Sequence, residues 1–136
     1  LTVAREPLLL ILHLGYLWMT VALGLLGLSI LTSAIPPAAA THAMTAGAAG
    51  TMMLGVMTRA TLGHTGRELR ADAATVVSYA LVSAAAFLRF VAAWPMDMAF
   101  DLLVTSAICW IGAFATFSIH YGAMLLRPRQ DSGANA

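Results

Sequence analysis

From Pro7 to Thr58 the chain carries no Asp, Glu, Lys or Arg, a run of 52 residues broken only by Pro36-Pro37. About 20 consecutive apolar residues span the hydrocarbon core of a bilayer. The stretch therefore holds two spans back to back. Charged residues make up 10% of the chain and hydrophobic ones 60%, with mean hydropathy +0.85. Soluble domains carry about 25% charged residues, so the chain reads as a membrane protein. Backbone polar groups in lipid must be satisfied within the segment, and no period-two alternation suggests a barrel. The predicted fold is all-α, a polytopic membrane protein of four antiparallel transmembrane helices.

The four spans are expected at about 7–35, 38–62, 73–94 and 99–126, as one unit over 1–129. Pro7 suits a first helical turn and Pro36-Pro37 ends the first span. Asp72 reads as the N-cap of the third span and Pro95 as its stop. The connections are short, which makes sequential helices neighbours. The small polar residues 130–136 read as a disordered tail. No basic n-region with a short apolar core and cleavage site opens the chain, so no signal peptide is expected. The chain begins with Leu1, and a longer parent protein is expected.

Arginine sets the expected orientation. An even number of spans puts Arg5, Arg59, Arg67, Arg70, Arg127 and Arg129 on one side and leaves Arg89 on the other, near Asp97 and Asp101. Both termini are therefore expected in the cytoplasm. The net charge of +1 gives no case for a nucleic-acid partner; the expected surroundings are the lipid bilayer. The lone Cys109 excludes an internal disulfide and a thiolate cluster.

On the second span Ala43, Gly47, Thr51, Gly55 and Gly63 fall at four-residue steps, with Arg59 completing the row. Small residues at that spacing let helix backbones approach closely in lipid. This span is the expected central helix. Met44, Met52, Met53 and Met57 on the same span read as core filling, with a thioether copper site as the alternative.

Ionisable groups within a membrane are costly and default to a functional reading. His13 and His120 lie at a similar depth, roughly 8 to 9 Å from the inner surface at 1.5 Å per residue, and could face one another. His42 lies near the outer turn and His64 near the inner end of the second span. At helical rise the two are roughly 30 Å apart, so one metal cannot use both. Imidazole ligates haem iron, copper and zinc. Histidines without a fixed spacing motif leave two readings open, metal ligands or core groups bonded to a neighbouring helix. Arg59 and Arg89 either snorkel to the interface or pair with an anion; Asp101 is a candidate partner for Arg89.

The run from His42 through Met57-Thr58-Arg59 to Gly63-His64-Thr65-Gly66-Arg67 resembles the signature of the NnrS family. Leu12-His13-Leu14-Gly15-Tyr16-Leu17-Trp18 resembles the family's preceding helix, and Leu125-Leu126-Arg127-Pro128-Arg129-Gln130-Asp131 its closing segment. Gly122-Ala123 departs from the family's proline after the tyrosine. The likeness covers nearly the whole chain and is to the carboxy-terminal part of the family. It implies a bacterial inner-membrane protein holding haem b and copper, associated with denitrification and with protection against nitric oxide and nitrosative stress. It implies partners in the remaining helices of a longer protein or another subunit. His13, His42, Arg59, His64 and Arg67 sit at matching motif positions. His42 and His13 are then the candidate metal ligands, and His64 and Arg59 candidate cofactor contacts. No catalysed reaction is assigned. Two other classes stay in view, a metal-free helix-packing or interaction module and a small-solute transporter.

Overall fold

The computed structural model describes residues 6–128. All regular structure among them is helical: α1 Pro7–Leu31, α2 Pro37–His42, a π-helical stretch Ala43–Ala49, α3 Gly50–His64, α4 Ala73–Val91 and α5 Ala99–Leu125. The segments α2, π and α3 follow one another without a gap, so residues 37–64 form a single rod and the fold has four rods. Three helices, α1, α4 and α5, are each long and apolar enough to cross a membrane. The expected tail, Arg5 and Arg129 lie outside the described residues.

The second rod departs from expectation. The sequence pattern predicts one regular helix over 38–62; the structure inserts a π turn directly after His42. The stretch is Ala-Met-Thr-Ala-Gly-Ala-Ala. Its small side chains offer little to lock an i+4 over an i+5 bond, so packing decides. Trp18 presses on Gly47 and Trp110 on Gly50. A Cβ at either glycine would sit 2.5 Å from an indole carbon. α1 also ends at Leu31, short of the expected 35. Thr32 turns extended, and the backbone must leave the α region before Pro36-Pro37.

The rod 37–64 is the centre of the bundle, with α1 on one side and the α4–α5 hairpin on the other. α1 runs antiparallel to it. Trp18 meets Gly47, Gly15 meets Thr51 and Met52, and Ile11 meets Gly55. The expected stripe is thus buried at Ala43, Gly47, Thr51 and Gly55, but Gly63 has nothing within 4 Å of a would-be Cβ. In that register Gly63 lies past the start of α1 at Pro7.

The α4–α5 hairpin is tied by polar rungs. Ser78 donates to the Ala113 carbonyl and Ser106 to the Ala85 carbonyl, both at 2.7 Å. Tyr121 and Thr75 bond hydroxyl to hydroxyl. Asp72 caps α4 as expected, accepting from the Thr75 amide at 2.9 Å. The buried Thr51, Thr58 and Thr65 hydroxyls donate to carbonyls of their own rod. These bonds satisfy the three hydroxyls within the helix, as a helix inside lipid requires.

Candidate functional site

His42 ends α2 and opens the π turn, half-buried. π turns inside α-helices occur mostly at functional positions. Arg89, in the last turn of α4, lies within electrostatic reach of His42. Below Arg89 a cleft of about 390 Å³ opens between the π turn and α5, walled by Thr45, Ala46, Ser106, Trp110 and Ile111. A smaller cleft of about 210 Å³ lies between α1 and the same part of the rod, bordered by Ala22, Leu26, Thr41 and Met44. An edge-on chain from Trp18 to Phe90 to Trp94, with ring centroids 5.5 and 5.1 Å apart, joins α1 to α4.

His13 is exposed on α1, with its Nδ1 2.9 Å from the Leu9 carbonyl. A carbonyl only accepts, so Nδ1 carries a proton, and in the neutral ring that leaves the lone pair on Nε2. Metal-ligating histidines are held the same way, through a second ring N–H on a carbonyl or carboxylate. His64 is exposed at the end of α3. The chain stops there in a Schellman motif: Gly66 has φ 70°, its amide donates to the Gly63 carbonyl, and the Arg67 amide donates to the Leu62 carbonyl. The conformational freedom of Gly66 is what closes the Gly-His-Thr-Gly-Arg segment. Arg59 is half-buried and within electrostatic reach of Tyr79.

His120 does not turn to His13. Its Nε2 lies 2.6 Å from Asp72 Oδ2, pinning the end of α5 to the start of α4. Arg89 forms no ion pair with Asp101 among the described residues. The structure therefore brings together His42 with Arg89 and His120 with Asp72, and leaves His13 and His64 on the surface.

Sequence reasoning missed a buried polar chain behind Asp72. The Thr75 hydroxyl donates to Asp72 Oδ1 at 2.8 Å, which obliges Tyr121 to donate to Thr75. Thr58, Thr75, Tyr79 and Tyr121 are all buried around this point. Burial pushes the Asp72 carboxyl up, but the Thr75 amide and hydroxyl and the His120 imidazole outweigh it and hold the group below the usual carboxylate range. The only signal in the sequence was Asp72-x-x-Thr75, which reads as a cap.

Residues 1–129 match the sequence profile of the family described as NnrS protein. The chain belongs to the NnrS family. Comparison with curated proteins and with solved structures gives no match. For the metal groups that NnrS resemblance implies, the donors divide in two. A haem would need an imidazole ligand, and His42, half-buried beside Arg89, offers one. A copper site needs a set of ligands. Among the described residues no group of three His, Cys, Asp or Glu is placed to hold a metal.

Proposed function

We propose that this chain is the membrane-embedded carboxy-terminal part of an NnrS-type protein that holds haem b and copper and protects the cell against nitric oxide. In this reading the second rod also crosses, giving four crossings of the bacterial inner membrane with both termini in the cytoplasm. The arginine bias supports that orientation, and a rod of 28 residues is about 40 Å long, enough for a core of about 30 Å.

The observation that carries the reading is His42 at the mouth of the π turn, inside the family's signature run. His42 supplies one ligand near the outer face and His13 another near the inner face, each completed by donors from other helices or another subunit. At His13 the Leu9 carbonyl fixes the tautomer that leaves Nε2 as the donor atom. Arg59 neutralises an anionic group near the inner face, and His64 shapes the cytoplasmic edge. The haem or copper would supply the binding of nitric oxide; the residues of this chain hold, orient and charge-balance that group.

The test is protection in living cells. A strain lacking the protein is complemented with wild type, His42→Ala or His13→Ala and challenged with a nitric oxide donor. Wild type restores growth and His42→Ala does not. Equal rescue by both variants, at equal protein levels, overturns the ligand roles. A packing module would account for the glycine seats at Gly47 and Gly55, and it predicts that equal rescue.

A further inference from the structure

The cleft beneath Arg89 is built around an unanswered charge. Arg89 makes no ion pair and no hydrogen bond among the described residues. Its electrostatic neighbour is His42, which offers no negative charge. Asp97 and Asp101, the acids nearest in sequence, are exposed and unpaired with it. A guanidinium presents a fork of N–H donors shaped for carboxylate or phosphate. Leaving it without an anion at the edge of a low-dielectric slab is costly.

The slot below the cation is mostly apolar. Its walls are Ala46 on the π turn and Ala107, Trp110 and Ile111 on α5, and the bordering Thr45 and Ser106 hydroxyls donate to the Thr41 and Ala85 carbonyls. Two local features open it. The π turn widens the second rod beside Thr45 and Ala46, and Gly50 lacks the Cβ that would displace the Trp110 ring. Ile108 and Ile111 continue the apolar surface outward, both about two-thirds exposed, at 64% and 67%. Ile111 lies four residues deeper along α5 than Ala107, about 6 Å further into the bilayer. A cation at the rim over an apolar slot running toward the membrane centre matches one chemical class, an anionic amphiphile. A free inorganic anion would leave the slot unfilled, and a zwitterionic phospholipid would bring beside its phosphate a cation of its own that offsets the attraction to Arg89.

We propose that this cleft binds an anionic phospholipid, with its phosphate on the Arg89 guanidinium and one acyl chain along Trp110 and Ile111. The inference rests on the membrane reading and is independent of which histidine holds a metal. Bound there, the lipid bridges the π turn, the end of α4 and the outer half of α5. It is then a structural ligand of the segment that carries His42.

The test uses the intact protein, purified in detergent and presented with phosphatidylglycerol or phosphatidylcholine of identical acyl chains, with retention read by native mass spectrometry. Wild type retains phosphatidylglycerol about fivefold better, the ratio expected for one basic side chain facing an anionic headgroup. Arg89→Gln abolishes that preference and Arg89→Lys keeps part of it. Ala107→Trp, which fills the slot from an exposed position, lowers retention of both lipids. Equal retention of the two lipids by wild type overturns the proposal, as does an unchanged preference in Arg89→Gln. Displacement of the lipid by millimolar inorganic phosphate shows a bare anion site and overturns it too. Loss of haem from Arg89→Gln with lipid retention intact assigns the cleft to the cofactor instead. Should Arg89→Gln fail to fold, Arg89→Lys and Ala107→Trp carry the same comparison.

Discussion

Gly47 and Gly24 are both helical glycines, yet they answer to different physics. At Gly47 an added methyl would lie 2.5 Å from the Trp18 ring, and at Gly55 2.8 Å from Ile11, while at Gly24 it would meet nothing within 4 Å. Overpacking a close seat costs about 1–3 kcal/mol, whereas Gly→Ala in an open helix gains about 0.5–1 kcal/mol. Gly47→Ala and Gly55→Ala are therefore expected to lower the melting temperature in detergent, and Gly24→Ala to hold or raise it. Asp72 permits a pH experiment. Its folded pKa lies below the ordinary value, so its contribution is present above the carboxylate range and is lost as pH falls through the depressed value. Asp72→Asn keeps the cap but removes the charge facing His120. It should be less stable than wild type near neutral pH, with the gap closing as the pH drops below the carboxylate range. Because Asp72 is half-exposed, solvent screens the pair and the gap is small. The cap was legible from Asp72 before an apolar run. Its second partner was not, because His120 reaches it only once α4 and α5 fold back on each other.

At the scale of elements, the hairpin of α4 and α5 is held by rungs that sequence pattern does not reveal. Ser78, Ser106 and Thr75 look like ordinary small residues on apolar helices, and only the antiparallel register turns each toward a carbonyl or hydroxyl on the other helix. Interhelical hydrogen bonds in membranes average about 0.6 kcal/mol. Tyr121→Phe should destabilise by about that amount, Thr75→Val by more because its hydroxyl also donates to Asp72, and the double variant by less than the sum, since the two share one bond. A fully additive double variant would contradict the pairing. The rod starts were legible from Pro7, Pro37 and Asp72, because prolines and caps act locally, but α1 and α4 stop at Leu31 and Val91, short of the expected 35 and 94. The π turn was not: its small side chains carry no local signal, and the indoles of Trp18 and Trp110 that pack on Gly47 and Gly50 come from other helices.

Across the whole molecule, the pattern of burial is inverted relative to a water-soluble bundle. Small and polar residues share the centre with Leu54 and Val82: Ala22, Ala39, Thr51, Thr58, Ala85 and Ala113 are fully covered. Large apolar side chains lie outside, with Ile30, Leu31, Phe100 and Ile119 each at least 74% exposed. Water would not tolerate such a surface; lipid or further apolar helices would. This inversion is the structural counterpart of the charge-free run, and it explains why the fold class was legible in composition while a binding site was not. Composition reports the solvent; a site needs residues that meet in space, and His13, His42 and His64 meet no second imidazole here. Topology can be read in a Cys109→Ser background carrying single cysteines at Arg70 or Met96. An impermeant thiol reagent is expected to label the two from opposite sides of the membrane.

The central claim is that the imidazoles His42 and His13 ligate metal within this membrane bundle. The most direct measurement is the optical spectrum and metal content of the purified intact protein, wild type beside His42→Ala and His13→Ala. The account predicts a b-type haem spectrum with copper in wild type, and loss of one of these signals in each variant. A wild type without haem or copper, or two variants whose haem and copper match wild type, would contradict it.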